Sequence, residues 1–228
     1  KHGISAIGSY RLESERGIGR NNAHKRMYVN ASAGYSYRDT YLIHALVNHT
    51  GTSVLPDGDK FRTYPAISAA WIISNESFMK KVPAIDYLKL RVSYGRAGWD
   101  NISYELDRQY WTWGGAYWFG DANTQTDGMK EDKLAMQNLT LEVSDKYNIG
   151  LEMQLFKRLN LSVDAYMDKR SKMLVDGNNM ISSAIGISIP QQNNGKTEYK
   201  GIDLGIDWKD KAGKDFTYYI GGTLNYIQ

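Results

Sequence analysis

The side chains that could carry chemistry are few, and the most suggestive are carboxylates. Asp164 with Asp168, and Asp203 with Asp207, resemble the paired acids of a glycoside hydrolase, where one carboxyl protonates the leaving oxygen while the other attacks or activates water. Each pair lies four residues apart in a run where apolar and polar residues alternate, and on an extended strand that separation is about 13 Å. Such catalysis works over roughly 5 to 9.5 Å, so these acids read as a polar lining. His44 and His49 lie on another alternating run with rings on opposite faces, and no carboxylate stands at ligand spacing beside them. They do not converge on a metal. Cysteine is absent, which removes disulfides, thiolate metal sites and a thiol nucleophile. No serine elbow, phosphate-cradling loop or zinc motif occurs. The sequence therefore predicts neither an enzyme nor a cofactor.

Binding chemistry is better represented. Residues 97–140 form the longest stretch without clear alternation, and they hold Trp99, Tyr104, Tyr110, Trp111, Trp113, Tyr117, Trp118 and Phe119. A long stretch of this kind is rare in a compact domain unless it is functional or disordered. Tyr110, Trp111, Trp113, Tyr117 and Trp118 are the expected ligand contacts, because flat rings offer large rigid area at low entropic cost to sugar faces or peptide side chains. The competing role for each ring is packing, against the loop itself or a neighbouring lid.

The elements that must carry these residues follow from period-two alternation, which sends apolar side chains to one face of a strand and polar ones to the other. It is clearest between Leu141 and Leu174. Tyr147, Ile149, Leu151, Met153 and Leu155 alternate with Asn148, Gly150, Glu152 and Gln154; Leu161, Val163, Ala165 and Met167 alternate with Ser162, Asp164, Tyr166 and Asp168. Only Phe156, Lys157 and Arg158 separate the two runs, so they form an antiparallel hairpin. Similar runs are expected from Gly3 to Arg11, Met27 to Tyr37, Tyr41 to Asn48, Tyr64 to Ser74, Asp86 to Arg96, Glu198 to Lys209 and Phe216 to Ile227, nine strands in all. Long polar loops are expected at Glu13 to Arg26, Thr50 to Thr63 and Val175 to Thr197. One helical turn is expected near Ser77 to Lys80. Lys89 and Arg91 alternate on a polar face; facing a soluble core they would be expensive, and facing water they are not.

Long and short connections take turns along the chain. A membrane barrel sorts them so, with tight turns at one rim and extended loops at the other. In that reading the apolar faces meet lipid, the polar faces meet a hydrated lumen, and Tyr35, Tyr37, Tyr41, Tyr94, Trp208 and Tyr226 sit at headgroup level as girdles. No apolar run reaches the roughly 18 residues of a membrane helix, but a spanning strand needs only about 9 to 11. The net charge of +3 on 228 residues and the lack of a basic run interleaved with aromatics predict no nucleic-acid partner. The alternative from another class is a secreted or surface β-rich adhesin or carbohydrate-binding module with a soluble core.

Several segments also resemble a known family. Tyr64-Pro65-Ala66-Ile67-Ser68-Ala69-Ala70-Trp71, Phe78-Met79 and Ile85-Asp86-Tyr87-Leu88-Lys89-Leu90-Arg91-Val92-Ser93-Tyr94-Gly95 with Gly98 are similar to the barrel signature of SusC/RagA-type TonB-dependent transporters of the Bacteroidota outer membrane. Tyr41 to Val47, Lys146 to Glu152, Ser162 to Tyr166 and Lys200 to Leu204 resemble the same family in the same order. The resemblance implies an all-β antiparallel transmembrane barrel of 22 strands with long extracellular loops, plus an N-terminal plug. It implies import of oligosaccharide or peptide through the outer membrane, powered through TonB, with a SusD-like surface lipoprotein as partner and lid. Nine strands cannot close such a barrel, no plug or TonB-binding segment is visible, and Asn225-Tyr226-Ile227-Gln228 does not resemble a barrel terminus. Residues 1–228 are thus expected to lie within the barrel domain of a longer polypeptide, with plug and barrel C-terminus outside them.

Overall fold

The computed structural model of the chain describes residues 2–16, 23–100, 102, 106–120, 124–136, 138–177 and 190–228. Its strands are β1 (His2–Arg16), β2 (Ala23–Tyr37), β3 (Tyr41–Thr52), β4 (Phe61–Ile72), β5 (Ile85–Trp99), β6 (Tyr110–Phe119), β7 (Thr124–Lys133), β8 (Glu142–Leu155), β9 (Leu159–Val175), β10 (Gln192–Ala212) and β11 (Phe216–Ile227). Nine of them form one antiparallel sheet in the order β1-β2-β3-β4-β5-β8-β9-β10-β11, while β6 and β7 pair separately. This is an open wall of nine strands, as the alternating runs predict.

Register turns the alternation of single strands into two continuous surfaces. Leu90, Leu151, Val163, Leu204 and Leu224 stand side by side across five strands, and Val92, Ile149, Ala165, Ile202 and Tyr226 form the adjoining row. One residue out of step runs the opposite row, Arg91, Gly150, Asp164, Asp203 and Asn225. Because side chains alternate strictly, a slip of one position on any strand would put charges into the apolar rows. A soluble sandwich would cover those rows with a second layer. Here Ile43, Ile67, Ile149 and Ile206 each remain 51–53% exposed, and among the described residues no second sheet lies over them. The soluble-module alternative lacks its core.

The two rims differ. At one, β2 joins β3 through 38–40, β8 joins β9 through 156–158, and β10 joins β11 through 213–215. Thr40 N–H donates to Tyr37 O at 3.0 Å and Arg158 N–H to Leu155 O at 3.0 Å, with Arg38, Asp39, Phe156 and Lys157 all at positive φ. Two central residues at positive φ give the turn whose twist matches the strands it joins. The connection at 73–84 on this rim holds 3-10 turns at Ile73–Asn75 and Ser77–Lys81, close to the expected helical turn. The connections at 53–60, 100–141 and 176–191 all leave from the other rim.

At that loop rim the strands run further than alternation indicates. Glu13 pairs with Arg26, Ser14 with Lys25 and Glu15 with His24 inside the expected loop, and β10 begins at Gln192. Polar residues on both faces of these extensions leave no period of two, yet the ladder continues. Residues 97–140 likewise contain the end of β5 and the whole β6–β7 hairpin. The buried apolar cluster also sits at this rim: Leu55, Leu106, Met136, Leu139 and Leu141, with Ile102 and Leu174 packed against it.

Candidate functional site

On the polar surface the charged side chains join across three strands. Arg91 on β5 passes over Gly150 on β8, and its terminal nitrogen donates to both Asp164 oxygens on β9 at 2.7 Å. Asn148 adds a 3.1 Å bond to Asp164 Oδ1. Glu152 lies 3.3 Å from Arg91 Nε and 3.4 Å from Lys89 Nζ. Glycine is needed at 150, since a Cβ there would stand 2.5 Å from Arg91 Nε and from Asp164 Oδ1. The Tyr166 ring lies over Gly201 in the same manner. A groove of about 620 Å³ lies beside this network, lined in part by Gly34, Ser36, His44, Ser68, Lys89 and Arg91. Small residues on β2 to β4 and charged ones on β5 to β9 give the wall one hollow half and one filled half.

The carboxylates considered for catalysis are each engaged separately. Asp164 holds Arg91; Asp168 accepts from Ser144 Oγ at 2.6 Å; Asp203 accepts from Asn225; Asp207 accepts from the Tyr219 hydroxyl at 2.5 Å. His44 shares the polar row with Gly34 and Ser68. His49, on the other face, stacks on Phe61 with centroids 5.4 Å apart, and its Nδ1 is 2.9 Å from Thr63 Oγ1. The four carboxylates are held by different hydroxyl, amide and cationic partners, an arrangement that lines a surface.

The expected ligand contacts lie on the β6–β7 hairpin. Trp111 faces Glu131 across the ladder, Trp113 faces Met129, Ala116 faces Asp127 and Trp118 faces Gln125, with an irregularity between Trp113 and Ala116. That irregularity sets two residues of β6, Gly114 and Gly115, against one of β7, Gly128, and a bulge of this kind restarts the alternation. In a regular strand Trp118 would face away from Trp111 and Trp113; here the three share a face. They are 55%, 74% and 61% exposed for Trp111, Trp113 and Trp118. The side chains of Tyr110 and Tyr117 lie outside the described residues.

An isolated two-stranded ribbon is marginal in water, and this one stands on the buried cluster. Met136 N–H donates to Leu106 O at 2.7 Å where the hairpin's two ends meet. Asn193 ties the neighbouring segments, donating to Thr140 O at 2.9 Å and Lys172 O at 2.7 Å and accepting from Thr140 N–H at 3.0 Å. Arg26 Nε donates to Asp100 Oδ2 at 2.6 Å. The loop rim is thereby a built platform.

Residues 23–228 match the family described as TonB dependent receptor-like, beta-barrel. The chain belongs to that family. Among curated relatives, TonB-dependent receptor P26 of Formosa agariphila is 32% identical over 190 residues, covering 81% of this chain and 18% of its own. TonB-dependent receptor SusC of Bacteroides thetaiotaomicron is 28% identical over 204 residues, covering 84% and 19%. The receptor chain described here spans less than a fifth of the length of these relatives. Among solved structures, the RagAB peptide importer in its open-open state superimposes on all of this chain and 27% of its own with a TM-score of 0.84 at 18% identity. The siderophore receptor PirA from Pseudomonas aeruginosa does so with 0.59 at 11% identity, covering all of this chain and 39% of its own. At these identities the likeness is one of fold, and it agrees with an open segment of a receptor barrel wall.

Sequence patterning identified the polar face but not its partners. Lys89 and Arg91 stand out as water-facing cations, yet their pairing with residues 63 and 73 positions away depends on register across three strands. The bulge was equally hidden, although Gly114-Gly115 in the middle of an aromatic run is the signal that could have found it.

Proposed function

We propose that this chain is part of the wall of an outer-membrane importer that takes up oligosaccharide or peptide by binding and gated passage, without bond chemistry. The plug, the TonB-contacting segment and the remaining strands belong to other parts of a longer polypeptide. TonB delivers the energy, and a SusD-like surface lipoprotein covers the loop rim. One observation carries this reading: a single sheet presents uncovered apolar rows on one side and a linked charged network on the other, as a wall between hydrocarbon and an aqueous pore must. The hairpin bearing Tyr110, Trp111, Trp113, Tyr117 and Trp118 supplies contacts to the incoming ligand.

Two measurements test it. The full-length receptor should leave the membrane only with detergent and show heat-modifiable migration on a gel; extraction in plain buffer as a monomer contradicts the reading. In cells, Trp111→Ala and Trp118→Ala should each reduce ligand uptake while leaving heat-modifiable migration unchanged. Unaltered uptake in both variants removes the hairpin from ligand binding.

A further inference from the structure

We propose that the tryptophan face of the β6–β7 hairpin is a stacking platform for a linear, uncharged oligosaccharide, made by the bulge between Trp113 and Ala116. This rests on the hairpin being a ligand contact and narrows the ligand's chemistry. Trp111, Trp113 and Trp118 form one row, and the row beside it is Glu131, Met129, Asp127 and Gln125. From Glu131 to Gln125 is about 20 Å at the usual rise of a strand, room for several linked pyranose rings. The three indoles offer flat apolar surface to the C–H faces of such rings. The carboxylates of Asp127 and Glu131 and the carbonyl of Gln125 offer acceptors to their hydroxyls. Glu131 is held in place by Gln109, whose amide donates to Oε1 at 2.7 Å.

Charge and area decide among possible occupants. Two carboxylates beside the indoles repel uronates and sulfated sugars, while Lys130 belongs to the opposite face with Thr112 and lies against Gly114. A ribbon two strands wide offers a face on the order of 300 Å², well below the roughly 800 Å² per partner of a stable protein interface. An extended peptide would pair with the ribbon's edge through backbone hydrogen bonds, which makes no use of three indoles in a row on the face.

The test is calorimetric titration of the full-length receptor in detergent with neutral hexasaccharides (maltohexaose and laminarihexaose), hexagalacturonate and an uncharged decapeptide. A neutral hexasaccharide should bind and hexagalacturonate should not. Trp113→Ala and Trp118→Ala should each weaken that binding about three- to tenfold, and the corresponding Phe variants should weaken it less. Inserting one alanine between Gly128 and Met129 gives the bulged residue a partner, makes the strand regular and turns Trp118 to the other face, so it should cost as much as Trp118→Ala, whereas deleting Gly115 removes the bulge with the register kept and should leave binding unchanged. Asp127→Asn combined with Glu131→Gln should admit hexagalacturonate. Heat-modifiable migration serves as the folding control for every variant. Tighter binding of hexagalacturonate than of either neutral sugar, no binding of any sugar, or an insertion between Gly128 and Met129 without effect overturns the proposal. Decapeptide binding that falls in the Trp variants overturns the saccharide while leaving the hairpin a ligand site; binding that no Trp variant alters defeats both.

Discussion

A methyl group at position 150 would meet Arg91 and Asp164 at once, so this glycine is the gap through which a cation on β5 reaches a carboxylate two strands away. Glycine normally weakens a strand by lacking a side chain and gaining backbone entropy. Here the cost is offset by the pair of charge-assisted bonds that Arg91 makes to Asp164. Because Arg91 is 41% exposed against 16% for Asp164, water screens part of the attraction. Gly150→Val should still destabilise the full-length barrel by about 2 kcal/mol through the displaced charges, and Asp164→Asn by less, both read from urea unfolding in detergent. An unchanged midpoint for Gly150→Val would mean that the network is not formed. The sequence marks residue 150 only as a small member of a polar face. Its role needs three strands in register, which periodicity within one strand does not encode.

Among the elements, legibility depended on what each face touches. Tyr147 to Leu155 and Leu161 to Met167 show clean alternation because one side meets an apolar medium and the other water, and selection by two media writes a period of two. The extensions Glu13–Arg16, Ala23–Arg26 and Gln192–Thr197 are polar at nearly every position, so their composition resembles a loop although their backbones pair. In the β6–β7 hairpin the bulge breaks the one pattern that remains. The tight turns are harder to read for a different reason, since Arg38, Asp39, Phe156 and Lys157 adopt the positive φ usually given to glycine or asparagine. The buried cluster supporting the hairpin draws Leu55, Leu106, Met136, Leu139 and Leu141 from separated segments, with no periodic signal. Leu139, 1% exposed, is its centre. Leu139→Ala should cost about 2 to 5 kcal/mol locally, which is enough to release the hairpin while the sheet stays intact. The expected result is rapid tryptic cleavage at Lys130 or Lys133 with heat-modifiable migration retained. Protection equal to the parent protein would show that the hairpin stands without its platform.

For the molecule as a whole, the apolar rows decide everything above them. Met27, Val29, Ala31, Ala33, Tyr35 and Tyr37 cover ten residues of rise on one face of β2, about 26 Å of height at a strand tilt near 40°, which matches the apolar band of an outer-membrane barrel. Aromatic pairs lie towards both ends of such rows: Tyr41 stacks on Trp71 with centroids 6.2 Å apart near the turn rim, and Tyr94 meets Tyr147 at 5.1 Å nearer the loops. Leu151→Arg and Leu204→Arg should therefore each cost about 2 to 4 kcal/mol in a bilayer, whereas Gln154→Arg, on the polar face, should cost little. The reverse order would invert the assignment of faces.

The most direct test labels one strand of the wall position by position, in a full-length receptor whose other cysteines, if any, are replaced by serine. Spin labels are placed one at a time on cysteines introduced from 201 to 207 on β10 of the full-length receptor in liposomes, and collisions with oxygen and with a water-soluble nickel chelate are measured. Labels at 202, 204 and 206 should collide with oxygen and escape the chelate, and those at 203, 205 and 207 should do the opposite, giving a period of two. Labels at 202, 204 and 206 that meet the chelate, or are shielded from both reagents, would contradict a wall standing between lipid and water.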